Sequence, residues 1–197
     1  MGSWIVHSGV VQGVIIGATL AFLTAILVLN GVARMITTTV NGWGAIPGCG
    51  RPGNGVLVRA ACAKELPAVN VFEEAAYWTA TADGSGRRLM GGGDYRLRFP
   101  AGHLPPAGAF WSLTVTDAVG YMVDNPIDRS SFNDRSDLAR NADGSIDIYL
   151  QRTAPTGHEQ NWLPIPGGRF KLMLRVYLPG AAVLDGRYQV PPVVRAD

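Results

Sequence analysis

The 197-residue chain carries a formal net charge of +2, and only 16% of its residues are charged, below the roughly 25% of an ordinary soluble domain. Basic and acidic residues alternate through the second half without a run of like charge, which excludes the concentrated basic stripe of a nucleic-acid binder. Its 25 Gly and 13 Pro cluster between short apolar runs, a distribution that suits strands joined by tight turns and not a helix bundle.

From Val10 to Leu29 no side chain is charged, and only Gln12, Thr19 and Thr24 are polar. As a helix this run reaches about 30 Å, the thickness of a bilayer's hydrocarbon core. A first segment, residues 1–36, is therefore expected to hold a short tail and one transmembrane helix. Trp4 and Trp43 are expected at the two interfaces, with Asn30 and Arg34 marking the far boundary. A cleaved signal peptide is the rival reading. The residues before Gly9 include no Lys or Arg, the apolar run is long, and no clear small-residue cleavage site follows, so a retained anchor is expected.

Gly13, Gly17, Ala21 and Ala25 recur at every fourth position of this helix. That spacing puts them on one face, where minimal side chains let a second helix approach closely. They are the candidate helix-packing residues. Orientation draws on opposing signals. Arg34 and Arg51 follow the helix while the tail has no basic residue, which favours a cytoplasmic domain. Cys49 and Cys62, an even pair in a Gly- and Pro-rich stretch, favour a disulfide in an oxidising compartment; two buried free thiols are the alternative. The pair sets the expectation: an inner-membrane protein with its soluble domain in the periplasm.

Residues 37–67 read as an irregular connector, with Gly42, Gly44, Pro47, Gly48, Gly50, Pro52, Gly53 and Gly55 giving too much backbone freedom for a helix or long strand. Residues 68–197 then change to alternation. Ala75, Tyr77, Thr79 and Thr81 share one face of a strand that ends at Asp83-Gly84-Ser85-Gly86, a hairpin signal. Further alternating sets are Tyr95/Leu97/Phe99, Trp111/Leu113/Val115, Ile146/Ile148/Leu150 and Phe170/Leu172/Leu174/Val176/Leu178. A period of two implies one buried face per strand. Five such runs with short turn-rich links predict a mainly β fold, an antiparallel sandwich or barrel whose core comes from these sets.

Several phrases in this half carry a family resemblance. They include Ala109-Phe110-Trp111-Ser112-Leu113-Thr114, Asp124-Asn125-Pro126-Ile127-Asp128-Arg129 and Asn141-Ala142-Asp143-Gly144-Ser145. Asn161-Trp162-Leu163-Pro164-Ile165-Pro166, Arg175-Val176-Tyr177-Leu178-Pro179 and Leu184-Asp185-Gly186 follow in order. From about Tyr77 to Arg195 the chain resembles the bacterial family catalogued as domain of unknown function 1214. The resemblance implies an antiparallel β-sandwich of jelly-roll type, without an agreed activity. Longer members of that family carry another, N-terminal domain, and here a membrane helix and a Gly-rich connector stand in its place. If that domain covers part of the sandwich, another protein is expected to cover it in this case.

Residues able to do chemistry are few. Asp124, Asp128, Asp134 and Asp137 could ligate a hard cation, but Arg129 and Arg135 lie among them, and a surface loop built on Asx turns explains the stretch better. Asp143-Gly144 before a strand reads as a hairpin turn. His7 lies in the tail, and His103 and His158 are read as exposed loop residues. There is no G-x-S-x-G elbow, and His158-Glu159 is not continued to a second histidine. Trp162, His158, Tyr149 and Tyr177 form a candidate ligand groove, because aromatic rings suit sugars and apolar ligands. No catalytic set, metal site or cofactor is expected. The function expected is a non-catalytic, membrane-anchored accessory subunit of a larger membrane protein complex. Its partners are the lipid bilayer and either integral membrane subunits or a second copy of itself. The alternative is an envelope enzyme or binding protein for a glycan or acyl ligand.

Overall fold

The computed structural model describes residues 2–66 and 68–196, with the side chains before Ser8, those of Trp4 and His7 among them, outside the described part. The chain forms two compact units, one of residues 1–36 and 52–69 and the other of residues 37–51 and 70–197.

The first unit is helical. Helix α1 (Gly2–Ile36) contains the whole uncharged run, and the most apolar 18-residue stretch within Ser8–Ile36 has a mean hydropathy of 2.2. Helix α2 (Val56–Glu65) packs against it. The irregular connector expected over residues 37–67 is therefore corrected here. Its glycines end at Gly55, and Val56–Glu65 contains neither Gly nor Pro and is rich in good helix formers, among them Leu57, Arg59, Ala60, Ala61, Ala63, Lys64 and Glu65. The helix closes where the Leu66 N–H donates to the Cys62 carbonyl at 2.7 Å.

The second unit is mainly β. A six-stranded sheet has the order β1 (Thr38–Val40), β2 (Trp43–Ala45), β3 (Ala75–Ala80), β9 (Phe170–Pro179), β5 (Ala107–Asp117), β6 (Ser131–Asn133). A four-stranded sheet has the order β10 (Val193–Ala196), β4 (Asp94–Phe99), β7 (Ile146–Gln151), β8 (Trp162–Pro164). All pairs are antiparallel except β7 with β8, which is parallel. A short helix α3 (Ala181–Leu184) follows β9. Strands β1 and β2 meet at Val40 and Trp43 across Asn41-Gly42, both in the left-handed region at φ 54° and 83°. This is the two-residue hairpin that Asn-Gly favours, lying within the supposed connector.

One apolar core lies between the sheets, with Tyr95 edge-on to Phe170 at 5.7 Å and Phe99 against Trp111 at 6.1 Å. Four of the five alternating sets supply it as expected, down to Val176. Leu178 does not: a bulge between Ala107 and Phe110 of β5 shifts the register, Leu178 opposite it takes φ 49°, and its side chain is exposed. In β3 the core face is Ala76, Trp78 and Ala80, the opposite parity to Tyr77, Thr79 and Thr81. Trp78 decides it, making edge contacts with Phe72 at 6.4 Å and Tyr188 at 6.3 Å. Trp43 is also core: it is buried and its indole N–H donates to the Pro191 carbonyl at 2.8 Å, so it is no interfacial anchor.

The reversal after β3 is held by Asp83, whose side chain is 2% exposed. Its Oδ1 accepts the N–H groups of Ser85 and Arg87 at 2.9 and 3.0 Å, and its Oδ2 accepts the Arg87 Nε–H at 3.0 Å. Burial raises the pKa, but the hydrogen bonds from Arg87 and Ser85 and the Arg87 charge outweigh it, leaving the carboxyl below its ordinary value. A depressed folded-state pKa adds stability above the unfolded pKa and loses it as pH falls through the folded value. Asp83→Asn is expected to cost about 1.5 kcal/mol at pH 7. Its urea midpoint should also fall less than that of the wild type between pH 5 and pH 3; an equal fall would remove Asp83 from the acid response.

Candidate functional site

The outer face of the smaller sheet carries a concentration of charged and polar groups. Alternation turns Arg96 and Arg98 of β4 and Asp147 and Tyr149 of β7 to this face, with Arg96 opposite Tyr149 and Arg98 opposite Asp147. Two loops cover β7. One turns at Asn141–Ser145, where Gly144 takes φ 78° and the Gly144 N–H donates to the Asn141 carbonyl at 2.8 Å. Strands β6 and β7 belong to different sheets, so this is a tight turn and not the hairpin expected. The other is the 3₁₀ turn Glu159–Asn161 that leads into β8.

Asn161 joins the two loops to the strand. Buried, it accepts the Ala139 N–H through Oδ1, and through Nδ2 donates to the Ala139 and Asp147 carbonyls, all at 2.8 Å. Arg129 fastens the same turn from the other side, donating to the Glu159 and Trp162 carbonyls at 2.9 Å. Asn161→Ala leaves three polar backbone groups without these bonds and is expected to cost about 2–3 kcal/mol. Amide exchange at Ala139 should accelerate; unchanged exchange would show that Asn161 does not hold this loop.

Together these segments enclose a cleft of about 170 Å³ that includes Asn141, Asp147, Tyr149, His158 and Glu159. Asp147 is buried, its Oδ2 accepting from Asn141 at 2.9 Å and Arg98 at 3.3 Å, with the Arg96 Nε at 3.9 Å from Oδ1. The imidazole of His158 stacks on Tyr149 with ring centres 4.6 Å apart. Burial and the Asp147 carboxylate raise the Tyr149 pKa, so its hydroxyl remains a hydrogen-bond donor at neutral pH. The cleft offers carboxylate and amide acceptors beside a stacked ring pair, an arrangement suited to holding a small ligand with several O–H or N–H groups.

Of the four residues predicted for a groove, the fold brings Tyr149 and His158 together. It places the other two elsewhere. Trp162 lies beside Tyr149 in register but is buried, its indole N–H donating to the Gln151 carbonyl at 2.8 Å. Tyr177 belongs to the other sheet and stacks on Phe110 at 4.4 Å. Asp147 shares the outward parity of Tyr149 but has no ring to mark it as a groove residue. The signal lay in the Asn- and Asp-rich loop before β7 and in Asn161 after it, which fold back over the strand. His103 is half-buried, stacked on Tyr188 at 5.1 Å. The Asp124–Asp137 stretch is ordered by Asn125, whose Oδ1 accepts the Ile127 and Arg129 N–H groups at 3.3 and 2.9 Å.

In the helical unit, Gly13 and Gly17 have no neighbouring atom within 4 Å of the position a Cβ would take. Ala21 and Ala25 are exposed on the same helix. By length and composition α1 could cross a membrane, as a membrane anchor or a signal sequence would. Cys49 and Cys62 are both buried and both disulfide-bonded.

The family model described as "Protein of unknown function (DUF1214)" matches residues 74–181. The chain belongs to the DUF1214 family. The match runs from just before β3 to the start of α3 and contains the whole cleft, whereas α1 and α2 lie outside it. The DUF1214 fold recurs in the crystal structure of the VPA0106 protein from Vibrio parahaemolyticus, at 28% identity and a TM-score of 0.61. That alignment covers 74% of this chain and 36% of the Vibrio protein, so the chain spans about a third of its length. A putative uncharacterized protein from Burkholderia cenocepacia aligns at 16% identity and a TM-score of 0.44, over 89% of this chain and 49% of that one. No curated protein matches.

Proposed function

We propose that this DUF1214 protein is a non-catalytic, membrane-anchored accessory subunit of a larger membrane protein complex. Helix α1 holds it in the inner membrane, and the β unit docks outside the bilayer on the periplasmic side. One observation carries the reading: the most apolar stretch of α1 has none of its surface buried, and the face bearing Gly13 and Gly17 is open. The uncharged run Val10–Leu29 exceeds the 7–15-residue core of a signal peptide. In water such a surface is unfavourable; in lipid it is the ordinary state of a spanning helix. Disulfide-bonded cysteines support the oxidising side of the membrane.

Extraction in mild detergent followed by native mass spectrometry is expected to recover the protein with integral membrane partners. Gly17→Leu should weaken that association by about 1–3 kcal/mol, the cost of overfilling a close contact, and so lower the recovered partner severalfold. Recovery as a monomer, or partner recovery indifferent to Gly17→Leu and to Gly13→Leu, would remove the accessory-subunit reading.

A further inference from the structure

Helix α1 is longer than a membrane requires. The 29 helical residues Ser8–Ile36 extend about 43 Å at 1.5 Å per residue, against a hydrocarbon core of about 30 Å. Between Ser8 and Ala25 every side chain is exposed; covered positions begin at Ile26 and continue through Leu29, Asn30, Val32, Ala33 and Ile36. They form one face of the last turns, in the same compact unit as α2, which packs on α1. Helix α2 buries Ala61 and Cys62 but leaves Val56 71% and Leu57 54% exposed, and Met35 near the end of α1 is 87% exposed.

We propose that α2 is a membrane-surface helix, with Val56 and Leu57 inserted at the boundary between lipid headgroups and acyl chains. The proposal rests on the anchor reading and adds a second contact with the same bilayer. Three features select lipid as the occupant. The apolar side chains are on a helix that packs against the span in the same compact unit. Exposed Arg34 precedes Met35, and exposed Arg59 follows Leu57 by two residues, setting a cation beside each apolar group as the phosphate level of a bilayer favours. Helix α2 is also too short to span, having 10 residues where a span takes about 20.

The test uses the full chain with its native cysteines oxidised. A bimane label is placed by Val56→Cys, Leu57→Cys, Val14→Cys or Asp134→Cys. Each labelled protein is reconstituted in phosphatidylcholine–phosphatidylglycerol vesicles, with and without brominated acyl chains. Emission at positions 14, 56 and 57 is expected to shift to the blue and be lost on bromination, while position 134 in the β unit is unaffected. If 56 and 57 behave like 134 while 14 is quenched, the surface-helix proposal is overturned and the anchor stands. Labels at 56 and 57 shielded from both brominated lipid and aqueous iodide would reveal a protein contact, and overturn it equally. An unquenched label at 14 removes the anchor and this proposal with it.

Discussion

Gly91→Ala is expected to destabilise the β unit by about 3 kcal/mol, the upper range for overfilling a packed site. A Cβ on Gly91 would overlap the Pro166 carbonyl oxygen and stand 2.7 Å from the Gly167 carbonyl carbon. Both are backbone atoms, so no rotamer change relieves the overlap. The contact cannot simply open, because the Gly91 N–H donates to the Gly168 carbonyl at 2.9 Å, and the Tyr95 hydroxyl donates to the Met90 carbonyl at 3.1 Å. The turn between β3 and β4 is thereby seated on the turn before β9. Gly92 is the control, since nothing lies within 4 Å of its Cβ position; alanine there should change stability by less than about 0.5 kcal/mol. Thermal unfolding of the full-length protein in detergent, followed by tryptophan fluorescence, should separate the two variants by about 10 °C. Equal melting temperatures would mean that the two turns do not meet in solution as they do in this structure.

Ile16→Arg combined with Leu20→Arg is expected to release the protein from membranes. Both side chains are exposed on α1, one turn apart near the middle of its apolar segment. An arginine at the centre of a spanning helix costs about 2.5–3.5 kcal/mol on insertion scales, so the pair opposes insertion by about 5–7 kcal/mol. The measurement is the fraction of full-length protein left in the membrane pellet after alkaline carbonate extraction. Wild type should remain in the pellet and the double variant should appear in the supernatant. The β unit should keep its tryptophan emission in both, since its core is separate from α1. Wild-type protein found in the supernatant, or a wild type shortened by loss of α1, would defeat the anchor.

Much of the architecture is legible along the chain because it depends on short-range patterns. The strands of the small sheet announce themselves through Tyr95/Leu97/Phe99 and Ile146/Ile148/Leu150, where one parity is wholly apolar. Strand β3 is legible as a strand but not in its parity, because Ala75-Ala76-Tyr77-Trp78 offers apolar groups to both faces and only distant Phe72 and Tyr188 favour one. Helix α2 was obscured by neighbouring glycines, and the Asn41-Gly42 hairpin by the same crowding. The candidate cleft was half legible: ring chemistry pointed to Tyr149 and His158, but not to Asp147.

What the amino-acid sequence determined alone is an uncharged helix of membrane length followed by a β domain of this family. Length, charge and alternation are properties of neighbouring residues, and the bilayer or a sheet acts on them directly. Only the tertiary structure decided that Trp43 and Trp162 are interior, that β8 joins β7 in parallel, and that Asp147 is buried on a polar face. Burial of a given side chain depends on which remote backbone covers it. For Asp147 that cover comes from loops ordered by Asn161 and Arg129, and no local pattern encodes their meeting.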